Sequence, residues 1–452
     1  MKKIKTRMLH PSIFLITLIL SVPILTIAFS ILSPTGENWQ HIVDTVLSEY
    51  IGNSLLLTCG VGSGALLIGI STAWLTAMCR FPGKNIFVWL LLLPMAMPAY
   101  IVAYTYTGML DFAGPVQSSI RDWTGWSHQD YYFPQIRSMG GAITMLSLVL
   151  YPYIYLLARS TFLEQSVGVM EVSRTLNCGP WTVFFRVALP LARPAIVAGL
   201  SLTLMETLAD YGTVAYFGLG VFTTGIFRTW FGLGDYSAAS RMAALLLLFI
   251  FILIILERLS RNKAQYHNTS GKLTHFSEYK LQGLRAWGAF TTCSIPVFLG
   301  FLLPAAQLSA WALETWNDMV DDRFFELARN SFLLGLGAAL ISVVFALFLG
   351  YGKRIFPGKI TTFSIRTASI GYAIPGTVIA VGVIIPFAWL DGKIDTFMQS
   401  YFGISIGLLF SGSIFAVMFA YLVRFLAISL QAVESGLGKI KPSMDVAARS
   451  LG

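Results

Sequence analysis

The sequence predicts an all-α polytopic membrane protein with about ten transmembrane helices and a parallel internal repeat. Three observations carry this expectation. Of the 452 residues, 56% are hydrophobic and 12% charged, with mean hydropathy +0.70, whereas a water-soluble chain carries about 25% charged residues. Charge-poor runs of roughly 20 residues, enough to cross about 30 Å of hydrocarbon, recur along the chain. Short motifs also reappear at a nearly constant offset.

The first run, Ser12 to Ser33, follows the basic residues Lys2, Lys3, Lys5 and Arg7. It lacks an A-x-A cleavage site and is expected to remain as a helix, not to be removed as a signal peptide. Next come Ser54 to Cys79, Asn85 to Leu110 and Met139 to Ala158. The fifth run, Pro194 to Leu219, is interrupted by Glu206 and Asp210, and Tyr236 to Leu256 closes the first half. Ala286 to Leu313, Ser331 to Tyr351, Thr367 to Leu390 and Tyr401 to Val423 complete the set.

Numbering the loops alternately separates the charges. Of 31 Lys and Arg, 24 fall on the side of the N-terminus and 7 on the other. The positive-inside rule then predicts a cytoplasmic N-terminus. Topology thus accounts for the net charge of +9, and no nucleic acid or other polyanion is implied. Cys59, Cys79, Cys178 and Cys293 form no CxxC pair, and the five histidines lie outside the apolar runs. Neither a disulfide framework, a zinc site nor a membrane haem is expected, and the chain is expected to hold no cofactor.

The repeat is read from three matches. Asn53-Ser54-Leu55-Leu56-Leu57 pairs with Asn330-Ser331-Phe332-Leu333-Leu334, and Phe81-Pro82-Gly83-Lys84 with Phe356-Pro357-Gly358-Lys359. Pro98 likewise pairs with Pro375. Matching points lie an even number of spans apart, so the halves run parallel, an arrangement found in transporters.

The loop after the fourth span reads Glu171-Val172-Ser173-Arg174-Thr175-Leu176-Asn177-Cys178-Gly179-Pro180, then Trp181 to Val187, Ala188-Leu189-Pro190 and Arg193-Pro194-Ala195-Ile196. It describes a short amphipathic helix, a Gly-Pro break, a second short aromatic helix and a Pro-marked approach to the membrane. The loop resembles the EAA loop of binding-protein-dependent ABC importer permeases. Glu171, Leu176, Phe184, Val187, Leu189, Pro190, Pro194 and Ile196 fit its pattern in order, while Val172-Ser173 replaces Ala-Ala and Asn177 stands at the motif glycine. The second copy, Ala447-Ala448-Arg449-Ser450-Leu451-Gly452, aligns with residues 172–177. Two fused permease units are thereby expected: residues 1–263 with about six helices and a coupling loop at 164–194, and residues 264–452, truncated within the corresponding loop.

Two units in one chain, with Leu208 to Gly218 and Phe222 to Phe231, resemble the ferric-iron importer permeases. The resemblance implies a permease that switches between inward- and outward-facing states when a cytosolic pair of ATP-binding subunits closes on ATP. It also implies a periplasmic substrate-binding protein as partner. The chain has no GxxxxGK[ST] loop, so hydrolysis is expected from a separate subunit and no catalytic residue from this one. The resemblance assigns contact with the ATPase to Glu171, Ser173, Arg174, Leu176, Asn177, Gly179 and Pro180, and in the second copy to Ala447, Ala448, Arg449 and Gly452. The bland reading of these residues is a capped, solvated surface helix.

Glu206 and Asp210 stand at i,i+4, which on a helix puts both on one face. A charge near mid-membrane costs at least ~2.5 kcal/mol, so they are expected to face the bundle interior, lining the route or pairing across helices. Two carboxylates make no metal site. Tyr100, Tyr104 and Tyr106 offer phenol oxygens, although aromatic residues near an interface are ordinary anchors. Thiamine as cargo, an ion-coupled secondary transporter and a membrane enzyme are the competing readings. The EAA-like loop opposes the second, and the lack of a His, Cys or Ser-base constellation opposes the third.

Overall fold

The computed structural model describes residues 2–32, 36–127, 129–164, 179–261, 278–440, 444 and 450. Among them nine helices are long and apolar enough to cross a membrane, and a tenth span is formed if one bent pair is counted as a single crossing. Helices dominate because hydrocarbon offers backbone N–H and C=O groups no partner outside the segment. The chain folds as two compact units. One comprises Met1–His41, Ile226–Leu248 and Asn317–Gly452, the other Ile42–Gly225 and Phe249–Trp316. These units and the sequence units 1–263 and 264–452 divide the chain differently.

The unit containing residues 42–225 begins with α2 (Glu37–Thr45, which straddles its edge) and α3 (Leu47–Met78). Then come α4 (Lys84–Leu90), α5 (Ala99–Leu110), α6 (Pro115–Thr124) and α7 (Met139–Glu164). Helix α8 (Pro180–Ala209) carries a π-helical stretch at Phe184–Ala188. Helix α7 is its centre: 67% of its most apolar stretch is buried, against 22–50% for the other spans. Glycines permit the close approach. A Cβ on Gly69 of α3 would stand 2.9 Å from Ile154 Cβ, and one on Gly199 of α8 would stand 2.8 Å from Ile154 Cα. Small residues at such contacts let backbones meet where lipid supplies no hydrophobic drive. The Tyr151 hydroxyl donates to the Leu91 carbonyl at 2.9 Å, satisfying a buried phenol.

The third predicted span is not one straight helix. Lys84–Ala96 and Ala99–Thr124 meet at 88°, because Pro98 holds an extended backbone (φ −58°, ψ 134°) and cannot donate to the preceding turn. After α9 (Gly212–Tyr216), α10 (Phe222–Phe227) and α11 (Tyr236–Arg261, shared between the units), the strand β2 (Tyr279–Lys280) pairs in parallel with β1 (Cys79–Arg80). Lys84 and Glu278 close this clasp at 2.7 Å. Helix α12 (Leu284–Trp316) then packs on α3, α4, α7 and the 3-10 turn Leu93–Ala96.

The other unit holds α1 (Lys2–Ser30), α13 (Asp322–Ile355), α14 (Lys359–Ala368), α15 (Gly376–Phe402) and α16 (Ile414–Gly438). Here α1 packs on α13, α14 and α15. Gly352 accommodates Ile13, and Gly382 the Pro23 carbonyl. Local structure repeats between the units. Pro375 caps α15 (φ −54°, ψ 142°) as Pro98 caps α5, and a 3-10 turn, Ser369–Ala373, precedes it. The shared Phe-Pro-Gly-Lys turns differ in one respect, since Gly83 is left-handed (φ 76°) and Gly358 extended (φ −157°). Helix α1 thus joins α13 to α15 in one unit, and α12 joins α3, α4 and α7 in the other.

The ninth and tenth spans are shifted from their predicted positions. Helix α15 starts at Gly376, not Thr367, and continues past Leu390 to Phe402, while α16 starts at Ile414, not Tyr401. Two aspartates read from sequence as loop residues lie on α15 and bind the returning chain. Asp391 accepts from Phe410 N–H, Ser411 N–H and the Ser411 hydroxyl at 3.0, 2.8 and 2.6 Å. Asp395 accepts from Ile406 N–H, Gly407 N–H and the Ser405 hydroxyl at 2.8, 3.2 and 2.9 Å. Apolar runs do not register such side-chain captures, and Ser413, accepting from Phe415 N–H, then starts α16.

Candidate functional site

Of the residues expected in the first copy to contact an ATP-binding subunit, Gly179 and Pro180 are among the described residues. Glu171, Ser173, Arg174, Leu176 and Asn177 lie outside them, as do Ala447, Ala448, Arg449 and Gly452. Pro180 occupies the first turn of α8, where its missing N–H costs nothing, and Gly179, extended at φ −66° and ψ 158°, accepts from Val183 N–H at 3.0 Å. The fifth span accordingly begins here, fourteen residues before the Pro194 start expected from apolarity.

The first turns of α8 sort their aromatic residues by face. Phe184 points inward, its ring 4.9 Å from that of Trp74, which also meets Phe162 at 5.5 Å and Tyr279 at 6.4 Å. Trp181 and Phe185 stack at 6.1 Å and remain 75% and 57% exposed. An exposed apolar pair one helical turn apart is of the kind that helix-in-groove docking uses. Sequence reading noted aromatic residues here and gave Trp181 and Phe185 no role, because only the structure separates the exposed face from the inward one.

Glu206 and Asp210 do not share a helix face as expected. Helix α8 ends at Ala209, and Asp210 has left it (φ −65°, ψ 127°). Its carboxylate serves the next helix. Oδ1 accepts from Thr213 N–H at 3.0 Å and Val214 N–H at 3.2 Å, and Oδ2 from the Thr213 hydroxyl at 3.1 Å. Its carbonyl accepts from the Thr223 hydroxyl at 2.8 Å. Asp210 is therefore the pivot of a broken helix, while Glu206 sits half-buried in the last turn of α8, close enough to interact electrostatically with it. Asp210→Ala is expected to cost about 1–3 kcal/mol of stability by orphaning two N–H groups. Asp210→Asn keeps the accepting Oδ1 and is expected to lose little. Thermal unfolding in detergent checks this, and equal losses in both variants would contradict it.

The three tyrosines of the third span separate. The Tyr106 ring is buried and its hydroxyl donates to the Leu299 carbonyl at 2.7 Å, whereas Tyr100 and Tyr104 are 42% and 45% exposed. Both meet Tyr216, to which sequence reading gave no role because it stands within the apolar run Pro194 to Leu219, and only the structure shows that this stretch breaks off as the five-residue α9. Ring centroids are 5.6 Å apart for Tyr100 and Tyr216 and 5.9 Å apart for Tyr104 and Tyr216. Among the described residues no group of three or more His, Cys, Asp or Glu side chains is placed to hold a metal.

Among the described residues, nine helices long and apolar enough to cross a membrane, with one bent pair and the break at Asp210, describe a polytopic membrane protein with interrupted helices, a feature also found in transporters. Residues 65–265 match the family described as the binding-protein-dependent transport system inner membrane component. The molybdenum transport system permease protein ModB of Escherichia coli (strain K12) is 30% identical over 176 residues, covering 38% of this chain and 74% of that protein. The chain belongs to this family of inner-membrane importer components. Similarity to two further relatives extends over most of the chain. The Fe(3+)-transport system permease protein FbpB 2 of Haemophilus influenzae is 24% identical over 413 residues, 90% of this chain and 73% of the relative. The ferric transport system permease protein FbpB of Actinobacillus pleuropneumoniae is 23% identical over 487 residues, 99% of this chain and 67% of the relative.

Proposed function

We propose that this chain is the permease of an ATP-driven importer that carries ferric iron from a periplasmic binding protein into the cytoplasm. The observation that carries the cargo is the extent of the likeness: the ferric relatives match 90% and 99% of the chain, the molybdenum relative 38%. In this reading residues 1–263 and 264–452 are duplicated permease units, and the N-terminus is cytoplasmic, as the distribution of Lys and Arg supports. A pair of ATP-binding subunits docks on Glu171, Ser173, Arg174, Leu176, Asn177, Gly179 and Pro180 and on Ala447, Ala448, Arg449 and Gly452. The exposed Trp181 and Phe185 extend that surface. The chain hydrolyses no ATP and holds no cofactor.

Glu206 and Asp210 line the route. The separation of structural from transport effects tests this: Asp210→Asn and Glu206→Gln are expected to fold normally and to slow uptake, and unchanged uptake in both would remove them from the route. The cargo is tested with the chain, its cognate ATPase and its binding protein in proteoliposomes. ATP-dependent accumulation of labelled ferric iron, unaffected by excess molybdate or thiamine, is expected. Accumulation of molybdate or thiamine in place of iron would overturn the assignment.

A further inference from the structure

Resting on the ferric-iron reading, we propose that Tyr100, Tyr104 and Tyr216 form an oxygen-donor patch that passes the trivalent cation along the translocation route.

A trivalent cation that sheds water needs hard oxygen ligands in exchange. Among the described residues the carboxylates do not assemble such a set, and Asp210 is already engaged by two backbone N–H groups and a hydroxyl. The phenols remain. Four other tyrosines of this unit use their hydroxyls structurally: Tyr106 donates to Leu299 O, Tyr151 to Leu91 O, Tyr155 to Val88 O and Tyr131 to Gln117 Oε1. Those of Tyr100, Tyr104 and Tyr216 make no hydrogen bond to any described residue, although Tyr100 and Tyr104 are substantially exposed and Tyr216 half-buried.

The rings are nevertheless held firmly. A Cβ on Gly212 would stand 3.0 Å from Tyr100 Cβ, so the start of α9 packs directly on that residue. Tyr104 also meets Trp311 edge-on at 5.9 Å, and Trp311 in turn fills the space left by Gly108. The Arg137 guanidinium lies 5.4 Å from the Tyr216 ring centre and donates to the Tyr216 carbonyl at 2.9 Å. Arg137 also lines a cavity of about 290 Å³ with Asp111, Gln117, Tyr131 and Gln135, so the patch adjoins a polar, open space. Rigid rings with unused hydroxyls are preorganised donors, and the nearby guanidinium opposes long residence of a cation. Such a patch transfers a cation and does not store it. Each phenol that coordinates iron gives up its proton to water and regains one on release.

The test uses the complete transporter with its ATPase and iron-loaded binding protein. The triple variant Tyr100→Phe, Tyr104→Phe, Tyr216→Phe keeps every ring contact and loses no hydrogen bond to a described residue. It is expected to transport ferric iron roughly tenfold more slowly, with ATPase stimulation by the binding protein retained. Titration of the detergent-purified chain with ferric citrate is expected to give a visible phenolate-to-iron charge-transfer band that the triple variant lacks and Tyr106→Phe keeps. Iron uptake by the triple variant equal to that of the unmodified chain overturns the proposal while leaving the ferric reading intact. Absence of iron uptake by the unmodified chain overturns both.

Discussion

Gly199→Leu is expected to leave almost no correctly folded protein in the membrane. A side chain at Gly199 would start 2.8 Å from Ile154 Cα and 3.0 Å from the Tyr153 carbonyl, so its obstacle is backbone and not a movable side chain. Helix α7 has no room to retreat. Gly69 of α3 approaches the same Ile154, with a hypothetical Cβ 3.1 Å from the Tyr151 carbonyl, and α3 and α8 also pack on each other. Overpacking in a close-packed interior costs about 1–3 kcal/mol even where side chains yield, and here two helix backbones must separate. Gly199→Ala is expected to be milder and still destabilising. Size-exclusion profiles and unfolding midpoints in detergent check the series. A monodisperse Leu variant with the unmodified midpoint would contradict this account of how the unit is held together.

Leu176→Asp is expected to uncouple ATP hydrolysis from transport. In the proposed docking surface Leu176 is the apolar member beside Glu171 and Arg174, and a carboxylate placed there must be desolvated against the partner's groove. If Leu176 is one of the few contacts that dominate such an interface, its loss costs about 2 kcal/mol, roughly a thirtyfold weakening of docking. Co-purification of the ATPase should fall accordingly, and uptake with it. Glu171→Ala is expected to act in the same direction through loss of a polar contact. Intact co-purification and uptake in both variants would assign these residues to a solvated surface helix.

The legibility of this chain follows from what lipid enforces. Helices α3 and α7 lie close to the runs Ser54 to Cys79 and Met139 to Ala158, because hydrocarbon permits few alternatives to an apolar helix. Two of the matched positions have matching local structure, since Pro98 and Pro375 each cap a helix behind a 3-10 turn. Where side chains capture backbone, hydropathy misleads. Asp391 and Asp395 extend α15 and delay α16, and Asp210 ends α8 although the apolar run continues to Leu219. The packing of α1 with α13 to α15, and of α12 with α3 and α7, left no mark in the sequence, because helix partners are chosen by surfaces that lie far apart along the chain. At the candidate site, Gly179 and Pro180 were readable as a break. Tyr216 and the outward face of Trp181 and Phe185 were not, since both depend on how short helices are turned.

The central claim is that movement of cargo is driven by ATP hydrolysed on a separate subunit. Its most direct test is ferric-iron uptake into proteoliposomes containing this chain, with and without its ATPase, driven either by ATP or by an imposed ion gradient. The account predicts accumulation only when ATPase, ATP and loaded binding protein are all present. Uptake driven by an ion gradient in vesicles lacking the ATPase would contradict it.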